Sequence, residues 1–302
     1  MKHFKTIAEF HHFIGIPAPL HPLISVVDVA TVSHRDVLEP MNMAMDFYSV
    51  AVKRMVNFKV QYGQRPFDFN DGIMSFMSPN QVLNINVKDK SKKTEKSGWV
   101  IYIHPDLLWN TGLAKTIRQY DFWDYSLNES LFLSEKEETM INSIIQSIYE
   151  EYQANIDRFS KNIIISHIEA LLNYADRYYH RQFITREKSN HQILEQVENL
   201  LAEYFNSGDL LAKGLPSVAY VAGALNLSSK YLSSLLKVLT GQNTQQHIHE
   251  KLIEKAKEKL STTELSVSEI AYGLGFEHLP SFSKLFKAKT SQSPLEFRAT
   301  FN

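Results

Sequence analysis

The side chains best suited to chemistry lie in two stretches that hold no carboxylate. No Asp or Glu occurs from Leu210 through His249, nor from His278 through Leu295. In the second stretch Ser281, Lys284 and Lys287 recur at helical spacing, opposite Phe282, Leu285 and Phe286. Lysine ammonium groups pair with phosphate, and lysine and serine both hydrogen-bond the edges of nucleic-acid bases. A polyanion is the ligand that such a face suits. The whole-chain charge of −1 conceals it. From Leu211 to Asn302 there are 11 Lys+Arg against 7 Asp+Glu, a net +4, and the remaining residues carry −5.

Other chemistries find little support. His11, His12, His21, His34 and His104 lack the close clustering of a metal site, and His247-Ile-His249 falls in a predicted helix. His104-Pro105 reads as a structural strand end. The sequence has no Cys, no G-x-S-x-G elbow, no P-loop, no G-x-G-x-x-G and no H-E-x-x-H. No catalytic residue, metal or cofactor is nominated, and no enzymatic activity is expected.

The elements that must position the basic face are legible from their ends. Ser266 and Glu269 have the S-x-x-E spacing of a capping box, so a helix starts there with Ile270, Ala271 and Leu274 inward. Gly275 interrupts it where a positive φ is easily accommodated, and Phe276 carries the core across the turn. The helix bearing Lys284 follows. Ser293, Pro294 and Glu296 have the types expected at N-cap, N1 and N3 of another helix. Two short helices about a glycine turn, the second with a basic face, make a helix-turn-helix pattern.

The pattern occurs twice. Val221 and Ala222 align with Ile270 and Ala271 at an offset of 49. Leu232, Leu236, Lys237, Thr240 and Gly241 align with Phe282, Phe286, Lys287, Thr290 and Ser291 at an offset of 50. The one-residue slip falls at the start of the second helix. Between the copies, Thr244 to Leu260 reads as a connecting helix with Ile248, Leu252, Ala256 and Leu260 on one face.

The runs E-I-A-Y-x-L-G-F, S-F-S-K-L-F-K and S-P-L-E-F-R resemble the C-terminal DNA-binding domain of AraC/XylS-type transcriptional regulators, over roughly the last hundred residues. The resemblance implies two recognition helices entering successive major-groove turns. Carried over position by position, it makes Lys230, Ser233 and Ser234 base-facing in the first copy, and His278, Leu279, Ser281 and Lys284 in the second. Lys237 and Lys287, near the helix ends, are assigned to phosphates. Ser234 stands where the family often has a long basic or amide side chain, and Leu279-Pro280 replaces a commonly polar pair. Readout here therefore leans more on shape and on contact with thymine methyls.

Upstream, Ile24 to Val32, Met55 to Tyr62, Ile73 to Met77, Gln81 to Val87 and the segment from Gly98 read as short strands of an antiparallel barrel or sandwich. The resemblance makes this a cupin-like β-barrel for sensing, on the weaker evidence of D-G-x-x-x-F-x-S-P-N-Q and G-W-V-I-Y-I-H-P. From Ser134, paired with Glu137 in a second capping box, two amphipathic helices run to Phe183 with a break near Asn155 and Asp157. This hairpin either packs on its own barrel or, as the resemblance favours, dimerises. The expected class is α+β: a cupin-like antiparallel β-barrel (1–133), a helical hairpin (134–183), a polar linker (184–194) and an all-α DNA-binding domain with two helix-turn-helix motifs (195–302). The N-terminus has His and Glu where a signal peptide needs an apolar core, and no run of about 18 apolar residues exists, so a soluble cytoplasmic protein is expected. The resulting reading is a sequence-specific, homodimeric transcriptional regulator acting on double-stranded DNA, with no membrane. RNA polymerase and a small-molecule effector are further partners that the resemblance allows. The rivals are a cupin-type enzyme with an appended DNA-binding domain and an architectural DNA binder, for which the net charge is low.

Overall fold

The fold is that of a computed structural model, which describes residues 1–31, 41–56, 59–62, 65–68, 72–85, 95–126, 129–154, 157–185, 187–207, 210 and 213–301. The chain divides into two units, Met1–Gln182 and Phe183–Asn302.

In the first unit, β1 (Lys2–Phe4) leads into α1 (Ile7–Ile14), closed at its start by a capping box between Thr6 and Glu9. This helix lies in a region whose sequence reads as mostly β. The strands β2 (Ile24–Asp28), β3 (Met41–Met45), β4 (Tyr48–Val56), β5 (Lys59–Tyr62), β6 (Arg65–Asp68), β7 (Gly72–Met77), β8 (Leu83–Ile85) and β9 (Glu95–Ile103) follow. A single-turn α2 (Leu113–Thr116) and β10 (Leu131–Leu133) complete the strand region.

Five strands form an antiparallel sheet in the order β10-β7-β4-β9-β2. A second sheet has the order β1-β3-β8, with β1 parallel to β3, and β5 pairs with β6. The expected closed barrel is not found among the described residues: β10 and β2 end the five-stranded sheet and do not pair with each other. Strand alternation gives this sheet two apolar faces. One carries Ala51, Met77, Val100 and Tyr102 into a core with Phe4, Ile7 and Phe10. The other carries Tyr48 and Phe76 against Trp123 and Phe122, at ring-centroid distances of 4.7 and 4.2 Å. A face buried on each side explains why these strands read as continuous apolar runs.

The hairpin helices are α3 (Glu135–Gln153) and α4 (Ser160–Thr185). The Ser134–Glu137 capping box is present, and Asp157 opens α4 by accepting from the Phe159 and Ser160 amides. Both helices bury their apolar stripes within the chain, Ile141, Ile145 and Ile148 on one and Ile168, Leu171 and Leu172 on the other. Arg181 grips β10 and α3 together, with Nε and Nη2 on the Glu137 carboxylate and Nη2 on the Phe132 carbonyl at 2.7–3.0 Å. Met140, Phe159 and Ile163 remain exposed.

The second unit is all helix. It takes the end of α4, then α5 (Glu187–Asn206), α6 (Val218–Ala224), α7 (Ser229–Thr240), α8 (Thr244–Thr262), α9 (Val267–Gly273), α10 (Leu279–Thr290) and α11 (Pro294–Ala299). The stretch expected to be a polar linker is helical from Glu187. The long α8 lies between the two short-helix pairs and packs on α5, α7, α9, α10 and α11. Its residues Ile248, Leu252, Ala256 and Leu260 are almost wholly buried, as the spacing predicts. No helix among the described residues is long and apolar enough to cross a membrane.

Candidate nucleic-acid interface

Two copies of one local geometry make up the candidate site. Ser217 Oγ accepts from the Tyr220 amide at 3.1 Å and starts α6; Ser266 Oγ accepts from the Glu269 amide at 3.2 Å and starts α9. The turns match as well. Leu227 N–H donates to the Ala222 carbonyl at 2.9 Å, and Phe276 N–H to the Ala271 carbonyl at 3.1 Å. The turn residue has positive φ in both copies, 56° at Asn226 and 82° at Gly275. After the turn, the helix carrying each basic face ends alike. Thr240 Oγ1 donates to the Leu236 carbonyl and Thr290 Oγ1 to the Phe286 carbonyl, both at 2.8 Å. Gly241 and Ser291 follow at φ 79° and 62°. Asn243 and Ser293 then cap α8 and α11 through capping boxes.

The copies differ where the sequence slips by one residue. Ser228 caps α7 by accepting from the Tyr231 amide at 3.2 Å. Its counterpart His278 makes no side-chain cap on α10, which starts instead on Leu279-Pro280.

Burial of Leu232, Leu235 and Leu236 on α7, and of Phe282 and Phe286 on α10, fixes which side of each helix is presented. Each fully buried large apolar side chain is worth about 1.5–3 kcal/mol, so the orientation is not easily rotated away. Lys230 and Lys237 are exposed on α7, as are Ser281, Lys284 and Lys287 on α10, with His278 exposed just ahead of it. Leu279 and Ser234 are half-buried. Ser233 is half-buried too, and its Oγ lies 3.0 Å from Oγ1 of the fully buried Thr244 at the start of α8. That hydroxyl ties α7 to the connector.

The cations are not equivalent. On α8, Lys251 and Lys255 are neutralised by Glu254 and Glu258 at 2.9 and 2.8 Å. Lys237 and Lys284 form no ion pair among the described residues. Lys287 has an acidic neighbour, because its charge helps to hold Glu296 below the usual carboxylate range after the larger effect of the cap bonds from Ser293. On the α8 flank, burial and then the nearby Lys289 hold His249 below the ordinary imidazole range. Its Nε2 is 2.8 Å from Gln245 Nε2, which suits a neutral ring accepting an amide proton.

Residues 221–300 match the helix-turn-helix domain family. The arabinose operon regulatory protein of Salmonella typhimurium is 30% identical over 142 residues, covering 47% of this chain and 47% of that protein. The uncharacterized HTH-type transcriptional regulator YfiF of Bacillus subtilis is 30% identical over 146 residues, covering 48% of this chain and 43% of that protein. Among solved structures, the C-terminal domain of the two-component response regulator yesN from Fusobacterium nucleatum is 34% identical. That match covers 34% of this chain and 95% of that one, with a TM-score of 0.30. The chain carries a C-terminal DNA-binding domain of the AraC/XylS type. It spans a little under half the length of the curated regulators just named.

Several residues of this AraC/XylS-type domain escape a reading of the sequence. Thr244 reads as a plain helix start, yet holds Ser233. Asn226 takes the turn position that Gly275 fills in the second copy, and only the repeat alignment marks it. Gly275 does more than turn the chain: a Cβ there would lie 3.0 Å from the Leu210 carbonyl oxygen and 3.1 Å from Gly214 Cα. No sequence signal reports that approach. In the first unit, His104 caps a short 3-10 turn by accepting from the Asp106 amide, and His11 is buried with Nδ1 on the Pro17 carbonyl oxygen. His34 lies outside the described residues.

Proposed function

We propose that this chain is a sequence-specific DNA-binding transcriptional regulator, reading successive major-groove turns with α7 and α10. One observation carries the reading. Two copies of a helix-turn-helix share a single connector, and the exposed side of each second helix lies in an acid-free window. In this reading Lys230 and Ser234 on α7, and His278, Leu279, Ser281 and Lys284 at α10, face base edges. Lys237 and Lys287 neutralise phosphates. Ser233 contributes mainly by seating α8 through Thr244, and any base contact from it uses its remaining hydrogen-bonding capacity.

The first unit serves as the sensing and dimerisation part. A cupin-like role for its sheets rests on the sequence resemblance. A homodimer through α3 and α4 is supported by the exposed Met140, Phe159 and Ile163, a small apolar remainder once the main stripes are buried. A small-molecule effector and RNA polymerase are the further partners of such a regulator, acting in the cytoplasm.

The test is selection of duplex DNA from a random library by the full chain, followed by footprinting of the winners. Two protected major-groove segments about one helical turn apart are expected. Enrichment of no sequence over bulk DNA rejects specific readout.

A further inference from the structure

The second unit starts earlier than its helix-turn-helix pattern. Phe183 is its first residue and is 1% exposed. The Phe183 ring meets the ring of Tyr231 edge-on, with centroids 5.2 Å apart and planes at 73°. Tyr231 is buried in the first turn of α7, between Lys230 and Leu232. Asn190 on α5 is 3% exposed and donates its Nδ2 proton to the Phe183 carbonyl oxygen at 2.6 Å. Ring and backbone of Phe183 are thus held separately, one by an aromatic contact and one by a buried hydrogen bond. Edge-to-face aromatic pairs have a preferred geometry, so they restrain orientation as well as burying area.

The second copy is held differently. At the offset of 50 that aligns α7 with α10, Tyr231 corresponds to Ser281, which is exposed. Both helices pack on α8, but the buried first-turn aromatic of α10, Phe282, meets Phe276 of its own turn at 5.4 Å, whereas Tyr231 meets a ring from ahead of the helix-turn-helix pattern. The first turn of α7 also carries Lys230, the one long cationic candidate reader of the first copy.

We propose that Phe183 and Asn190 are positioning residues for the first recognition helix. They hold the Tyr231 turn, and with it Lys230, in the register in which α7 meets DNA. The functional DNA-binding unit then begins at Phe183 and not at Glu195. This rests on the reading of α7 as a recognition helix.

The full chain and its Phe183→Ala, Phe183→Leu and Asn190→Ala variants supply the test. Hydrogen exchange without DNA compares the first turn of α7, Ser229–Leu232, with that of α10, Leu279–Phe282. Phe183→Ala is expected to speed exchange roughly tenfold in α7 and to leave α10 unchanged, as a local opening would. Phe183→Leu should restore most of the protection. On a duplex selected by the unaltered chain, Phe183→Ala should lower affinity about tenfold, within the cost of one misaligned base contact, with protection lost in one of the two segments. If Phe183→Ala does not fold, Asn190→Ala carries the same comparison, since it removes the pin and leaves the rings. Exchange unchanged in α7, or rising alike in α7 and α10, overturns the proposal, as does equal loss of both protected segments. Should the unaltered chain select no duplex, the regulator reading fails while the exchange comparison still decides the positioning role.

Discussion

Replacing Gly275 by alanine tests whether the turn between α9 and α10 is held by backbone conformation and close packing together. Gly275 has φ 82°, where an alanine costs about 1–2 kcal/mol. Its new Cβ would sit 3.0 Å from the Leu210 carbonyl oxygen and 3.1 Å from Gly214 Cα. That backbone has little room to yield, because Gly214 N–H donates to the Leu210 carbonyl and Tyr204 Oη donates to the Gly214 carbonyl, both at 3.0 Å. Crowding of this kind adds about 1 kcal/mol, so the total is about 2–3 kcal/mol. With a urea m-value of about 1–3 kcal/mol/M, the midpoint of the second unit should fall by on the order of 1 M. The assay can separate the units. Trp99, Trp109 and Trp123 are the only tryptophans and all lie in the first unit, so fluorescence follows that unit while circular dichroism at 222 nm adds the all-helical second one. Gly275→Asn isolates the two causes. Its Asn226 counterpart shows that asparagine tolerates this φ, so it should recover about 1 kcal/mol while keeping the crowding. An unchanged dichroism midpoint for Gly275→Ala refutes the argument.

Four further outcomes are expected. Lys284→Ala should cost about 1–3 kcal/mol on a selected duplex and relax discrimination at one or two base pairs. Lys287→Ala, beside Glu296, should weaken all duplexes alike and reduce the salt slope by about 0.9 or less; titrations on matched and mismatched duplexes at several salt concentrations separate the two. Because burial and Lys289 depress the His249 pKa in the folded state, the unfolded chain binds more protons as pH falls below the ordinary imidazole value near 6.5. The stability it contributes is therefore complete above that value and is lost as pH falls through the folded pKa; urea midpoints from pH 8 to 5 should show a shallower acid loss in His249→Gln. Sedimentation of the full chain at micromolar concentration should give a dimer that Ile163→Glu converts to monomer, and a monomeric unaltered chain would end the hairpin-dimer proposal.

What the sequence determined by itself is short-range. The capping boxes at Ser134, Ser266 and Ser293, the turn at Gly275, and the repeat with its one-residue slip all rest on hydrogen bonds spanning three to five residues or on a 3.6-residue period. Such signals survive without tertiary context. The same signal at Thr6 and Glu9 marks α1 and was available, but β-branched runs downstream colour the N-terminal region as strand. The tertiary structure alone decided whether the sheet closes, because β10 and β2 could meet only through contacts between residues far apart in the chain. It also showed that helix α4 runs on through the boundary between Gln182 and Phe183, beside the polar stretch 184–194 that the sequence offers as a linker. The ties of Ser233 to Thr244 and of Phe183 to Tyr231 belong with these. Periodicity assigns a residue to the inner or outer side of its own helix; which neighbour meets it there depends on how separate helices pack, and that is set by the shape of the whole core.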